Sequence, residues 1–186
     1  MDELGVGSVP NECSVLGKQL IDSVRAIERA KRLRHEDQRG WKAAVFEVLG
    51  NIGRARGFKV FHGPCSGLST DGCEFLLDLI WYSDDGGIEM GAECEWKEAE
   101  DVFYDFRKLV YVKAPLKVLV YWAYRKRDDG EDVRQRIERY MKQYTRHVAG
   151  EQYVFLEFGA YGDDRCYSYV VREKEAVGPV SLCRLV

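Results

Sequence analysis

The segment Phe75-Leu76-Leu77-Asp78-Leu79-Ile80-Trp81-Tyr82 limits the possible folds more than any other part of the chain. A near-continuous apolar run bounded by turn-forming residues belongs to a strand covered on both faces. Such a strand requires a sheet with a layer of structure on either side. Asp78 stands inside the run. A carboxylate withdrawn from water there is costly unless it is paired, hydrogen-bonded or bound to a metal.

The residues that follow supply company for it. Ser83-Asp84-Asp85-Gly86-Gly87 reads as a tight turn, because glycine accepts the positive φ that such turns need. Residues 88–97 then alternate. Ile88, Met90, Ala92, Cys94 and Trp96 share one face, and Glu89, Gly91, Glu93, Glu95 and Lys97 share the other. If Asp84 to Gly87 form the loop, Ser83 pairs with Ile88. Counting back places Asp78 opposite Glu93, with Glu95 diagonal to it at roughly 7–8 Å. A slip of one residue would turn Asp78 to the opposite face. The turn and the acids therefore agree on one register.

The remaining pattern predicts the layers. After a loose start over 1–12, a helix is expected from Ser14 to Leu33, with Leu16, Leu20, Ile21, Val24 and Ile27 inward. Its other face, with Arg25, Glu28, Arg29, Lys31 and Arg32, reads as solvated, and phosphate contact is the functional alternative. A second helix starts at Asp37 or Gly40 and runs to Arg56 on Trp41, Val45, Val48, Leu49 and Ile52. Phe58–His62 is a short strand, broken by Gly63-Pro64 and a loop to Gly72. A helix over 98–112 ends at Ala114-Pro115. Leu116–Tyr124 is a central strand, parallel to its predecessor through that helix. A charged turn over 125–130 leads to a helix over Glu131–Val148, then to strands over 152–158 and 167–172.

The order α-α-β-β-β-α-β-α-β-β predicts a single α/β domain over 1–186, a three-layer α/β/α sandwich with a mixed central sheet. Its parts are an N-terminal helix (14–33), a motif-bearing core (about 41–123) and a C-terminal helix with strands (131–172).

Composition excludes some classes. The chain is 46% hydrophobic and 32% charged with a net charge of −3, which neither announces nor excludes a nucleic-acid binder, since local patches set the field at a site. No apolar segment is long enough for a membrane span. The opening Met-Asp-Glu-Leu-Gly has neither the basic start nor the apolar block of a secretory signal. A cytoplasmic chain with reduced cysteines is therefore expected. His62, Cys65 and Cys73 include no Cys-x-x-Cys pair, so zinc is not expected.

The acidic face can do chemistry. Asp78 and Glu95 can bind a hard cation such as Mg²⁺, with Mn²⁺ as a substitute, and Glu93 and the main-chain carbonyl of Trp96 can add ligands. Lys97 shares the face of Glu95, where an ammonium can hold or deprotonate an attacking water and offset charge on a phosphorane. Glu47, beside Val48 on the second helix, is placed to reach the same metal or another. The competing reading of Glu-x-Glu-x-Lys is a solvated sheet face with cross-strand ion pairs. Asp78 in its apolar run weighs against it.

An acid-bearing helix, Asp78, a hairpin, Glu95-Trp96-Lys97, a helix and an apolar strand together resemble the PD-(D/E)XK nuclease superfamily over roughly 41–123. Leu77 stands where that motif often has proline. The resemblance implies a restriction-endonuclease-like fold. It also implies that Asp78 and Glu95 hold Mg²⁺, that Lys97 assists the nucleophile and that Glu47 matches the acid of the preceding helix. Asp105 and Lys108 fall where some members carry accessory polar residues. The implied activity is phosphodiester hydrolysis, in DNA before RNA, with specificity from a homodimer or a partner protein. Arg54, Arg56 and Lys59, then Arg125, Lys126 and Arg127, are candidates to grip phosphates, although each group suits a solvated turn. Tyr104 and Tyr111 can stack on bases or simply pack. The alternatives are a non-catalytic module of the same fold that binds nucleic acid or a partner protein, and an unrelated α/β protein.

Overall fold

Strands that are apolar on both sides require cover on both sides, and the computed structural model of the chain provides it. The structure describes residues 12–31, 37–62, 76–122, 132–159, 163–171 and 177–184. The elements run in the order α1 (Glu12–Lys31), α2 (Gln38–Ala55), β1 (Lys59–His62), β2 (Leu79–Tyr82), β3 (Ile88–Glu95), α3 (Ala99–Tyr111), β4 (Leu116–Trp122), α4 (Val133–Gln143), β5 (Gln152–Phe158), β6 (Arg165–Val171) and β7 (Val177–Arg184).

The strands form one seven-stranded sheet whose spatial order follows the chain. β1, β2 and β3 are antiparallel, β3, β4 and β5 are parallel, and β5, β6 and β7 are antiparallel. Parallel neighbours need a crossover, and α3 and α4 provide the two that occur. Alternate strand residues divide the core. Leu79, Trp81, Met90, Ala92, Cys94, Val118 and Val120 pack against α1 and α2. Ile80, Leu119, Tyr121, Tyr153 and Phe155 pack against α3 and α4. The protein is thus an α/β fold with a mixed sheet and two helices on each face.

Local chemistry sets the helix ends. Asp37 Oδ1 accepts from the Gly40 N–H at 2.9 Å, capping α2. Asp132 and Gln135 form a capping box that starts α4. Gly57, at φ 86°, turns the chain out of α2 into β1.

Four features depart from the sequence reading. The strand around Asp78 is shorter than its apolar run: residues 76–78 form a bend, and Leu76 is 56% exposed. Asp78 therefore lies at the mouth of β2, not in its middle. The hairpin tip is one residue tighter than expected, with the Ser83 N–H donating to the Gly87 carbonyl at 3.0 Å and Tyr82 pairing with Ile88. An irregularity between Trp81 and Tyr82 absorbs the extra residue on β3, so Trp81, Ile80 and Leu79 pair with Met90, Gly91 and Ala92. One step further, that register sets Asp78 across from Glu93. The irregularity also moves Ile88 to the α3/α4 core, away from Met90. α4 stops at Gln143, short of Val148. Finally, β7 was not anticipated, since the sequence reading named no element beyond residue 172. Proline is tolerated on an edge strand, and Pro179 pairs with Tyr169 beside a register shift on the sheet's outer strand. The turn expected over 125–130 and the loop expected to Gly72 lie outside the described residues.

α2 sits close on β2 through Gly53. A Cβ there would lie 2.5–2.8 Å from the Trp81 ring. That ring is fixed by its Nε1–H donating to the Leu49 carbonyl at 3.1 Å. Alanine normally gains about 1 kcal/mol over glycine inside a helix. Here overpacking, which costs about 1–3 kcal/mol, opposes that gain. Gly53→Ala is expected to be net destabilising by about 1 kcal/mol in urea unfolding. A stabilised variant would show that α2 and β2 are less closely packed.

Candidate metal centre

Asp78 is positioned by its neighbours on both sides. Leu77 fills the space above Gly91 on β3, where a Cβ would lie 2.5 Å from Leu77 Cδ1. Beyond the last ladder pair, Leu79 with Ala92, the Cys94 N–H is taken by Asp78 Oδ2 at 3.0 Å. The carboxylate thus continues the sheet's hydrogen bonding where the backbone leaves it. The same oxygen meets Lys42 Nζ of α2 at 2.8 Å.

Two more acids face Asp78. Glu93 comes from β3 and Asp105 from α3, and one oxygen from each of the three carboxylates lies within 4.8 Å of the others. Glu93 is fully buried. Lys108, on α3, approaches Glu93 Oε1 at 2.7 Å and Asp105 Oδ1 at 2.8 Å. Apart from this ion pair, neither Glu93 oxygen has a hydrogen-bond partner among the described residues.

The structure gathers some of the sequence-predicted residues and separates others. Asp78 and Glu93 meet. Glu95 Oε1 turns back to accept from the Trp96 and Lys97 backbone N–H groups, each at 2.8 Å, and so ends β3. The Trp96 ring is anchored 5.6 Å from Trp41, 6.0 Å from Trp122 and 5.8 Å from Phe158, which fixes the backbone bearing its carbonyl. Lys97 is exposed, and the ammoniums that contact the acids are those of Lys42 and Lys108. Glu47, expected to reach the metal, is exposed and pairs with Lys31 at 3.1 Å. Its helical phase carries it to α1, because Val48 and Leu49 take the core positions.

Asp105 and Lys108 were legible as a polar pair three residues apart, but their role was not. Lys42 gave no signal, since only the meeting of α2 with β2 and β3 brings it to Asp78. Of the basic residues named for phosphate contact, Lys59 pairs with Asp84 at 2.9 Å and the Arg56 guanidinium lies 5.8 Å from the centre of the Trp81 ring. Arg25, on the α1 face read as solvated, donates to Asp164 at 2.7 Å and to the Gly159 carbonyl at 2.8 Å, pinning α1 to the end of β5.

Burial governs the protonation of the cluster. Loss of solvation, then the charges of Asp78 and Asp105, push the Glu93 carboxyl up to about 10, with Lys108 opposing the rise. Burial raises Asp105 too, again against Lys108. Burial works to lower Lys42 and Lys108, but the adjacent carboxylates outweigh it and both stay protonated well into alkaline pH. Burial also drives the Cys94 thiol well up, so it is no thiolate ligand at neutral pH. The donor set is therefore oxygen alone, which suits a small hard cation.

Compared with protein-family models, curated proteins and solved structures, the chain matches none. Among the described residues, no helix is long and apolar enough to cross a membrane.

The raised Glu93 carboxyl has a signed consequence. The folded state holds a proton there that the unfolded chain loses above about 4.5, so this group's contribution to stability falls as pH rises from about 4.5 to about 10. Without divalent ions, Glu93→Gln is expected to melt progressively higher than the unsubstituted protein as pH is raised through that window. Equal slopes in the two pH–melting profiles would mean that Glu93 is ionised in the fold.

Proposed function

We propose that the chain is a metal-dependent nuclease of the restriction-endonuclease-like fold, hydrolysing phosphodiester bonds in DNA before RNA. The observation that carries this reading is the convergence of Asp78 from the bend before β2, Glu93 from β3 and Asp105 from α3 on one small volume. The order α2-β1-β2-β3-α3-β4, antiparallel through β3 and parallel at β4, supports the same reading. So does the location of the acids toward the carboxyl end of β3, where open α/β sheets commonly place ligands.

The residues fit a divalent cation. Glu93 offers two buried oxygens with no hydrogen-bond partner among the described residues, and Asp78 and Asp105 supply further hard donors. Asp78, Glu93 and Asp105 would hold Mg²⁺ or Mn²⁺, with Glu95 and the Trp96 carbonyl next along the chain. A cation bound there supplies Lewis acidity toward a phosphoryl oxygen and acidifies a bound water. Lys42 and Lys108 bring positive charge to the same place, offsetting the carboxylates and favouring an anionic phosphate. In register, the acid opposite Asp78 is Glu93, so Glu93-Cys94-Glu95 takes the place that the sequence reading gave to Glu95-Trp96-Lys97. Specificity would come from a second copy or a partner protein.

A second reading also has an observation behind it. Each acid of the cluster already meets an ammonium, as in a structural ion-pair network, which favours a non-catalytic module that binds nucleic acid or a protein. Incubation with plasmid, single-stranded DNA and RNA in Mg²⁺, Mn²⁺ or EDTA separates the two. The nuclease reading expects cleavage that EDTA abolishes and that Asp78→Asn reduces at least about 100-fold, the scale on which lost electrostatic stabilisation acts. Binding without cleavage, unchanged by Asp78→Asn, would establish the non-catalytic module in its place.

A further inference from the structure

Lys108 occupies an unusual position for a structural ion-pair partner. Its ammonium bridges Glu93 Oε1 and Asp105 Oδ1 at 2.7 and 2.8 Å, yet Glu93 Oε2, fully buried, is left without a hydrogen-bond partner among the described residues. Its positive charge stands among three acidic side chains, the place a bound cation would take. Its side chain is 20% exposed, whereas Glu93 is wholly buried, so Lys108 closes the cluster from the solvent side. The ammonium also has somewhere to go. The ring of Tyr104, itself 62% exposed, lies 5.7 Å from Nζ at the edge of the cluster, and an aromatic face is a favourable seat for an ammonium. Lys42 is placed differently: it reaches Asp78 from α2 on the opposite side of the sheet and does not bridge.

We propose that Lys108 is the exchangeable counter-ion of this cluster: it holds Glu93 and Asp105 together, gives way to a divalent cation, and is then the ammonium at the rim that meets the charge of a bound phosphate. The proposal rests on the reading of the cluster as a cation site. It follows that Lys108 competes with the metal for Glu93. The lysine that works with this site then comes from α3, in place of the exposed Lys97.

The test is ion-dependent melting of the full chain, which needs no activity. Ca²⁺ and Mn²⁺ are titrated separately against the unsubstituted protein, Lys108→Met, Lys108→Arg and Lys97→Met. Lys108→Met removes the ammonium that ties Glu93 to Asp105, so its melting temperature without ions falls. Either ion restores it, with an apparent affinity at least about tenfold tighter than that of the unsubstituted protein. Lys108→Arg and Lys97→Met keep the unsubstituted affinity. Where Lys108→Met does not fold without ion, Lys108→Gln gives the same comparison. Equal ion affinity in the unsubstituted protein and Lys108→Met (or Lys108→Gln) would overturn the role of Lys108 and leave the cation site standing. No ion effect on any of the four proteins would overturn both.

Discussion

A carboxylate with no exposure to solvent must be stabilised by whatever the chain brings to it, and Glu93 is such a group. The penalty for an unpaired ion in a protein interior is several kcal/mol even after relaxation. Its surroundings answer that penalty in two ways: burial favours the protonated form, and Lys108 sits within ion-pair distance. Beyond that ion pair, neither response gives its oxygens a hydrogen-bond partner among the described residues. A core selected for stability alone would place an apolar side chain here. The neighbouring acids Asp78 and Asp105 make the position more demanding still, and Lys42 and Lys108 arrive from helices on opposite faces of the sheet to balance them.

The fold makes that convergence possible. β3 is the strand where the sheet changes from antiparallel to parallel pairing, so it carries a hairpin partner on one side and a crossover helix beyond its end. The hairpin brings Asp78, and the crossover brings Asp105 and Lys108. Gly91 and Leu77 set how closely the bend before β2 approaches β3. On the other face, Trp41, Trp96, Trp122 and Phe158 pack edge to ring and lock the strand ends in place. Glu93 and Asp105 therefore rest on regular elements, which hold side chains more closely than loops do, and Asp78 is held at the entry to β2.

Much of this was legible in the sequence. The apolar runs over 75–82 and 116–124 demanded cover on both faces, and helical periodicity supplied it. The pairing of Asp78 with Glu93 was read from a four-residue turn, but it is reached through a tighter turn and a compensating irregularity on β3 that the sequence did not reveal. What was not legible depended on three dimensions. The period of α2 does not say that Lys42 reaches Asp78 while Glu47 turns to Lys31. Strand alternation puts Glu93, Glu95 and Lys97 on one face, but β3 ends at Glu95, and beyond that point alternation no longer directs a side chain. β7 carries Pro179, whose tolerance depends on being at the edge of the sheet.

The central claim is that Asp78, Glu93 and Asp105 together form a seat for one hard cation. Crystals soaked in Mn²⁺ and measured for anomalous scattering test it most directly. A seated ion gives a single strong peak with oxygens of all three carboxylates within about 2.0–2.6 Å, the range of hard divalent cations, and Lys108 withdrawn from Glu93. A map without a peak there, with Lys108 still bridging Glu93 and Asp105 at saturating ion, would contradict it.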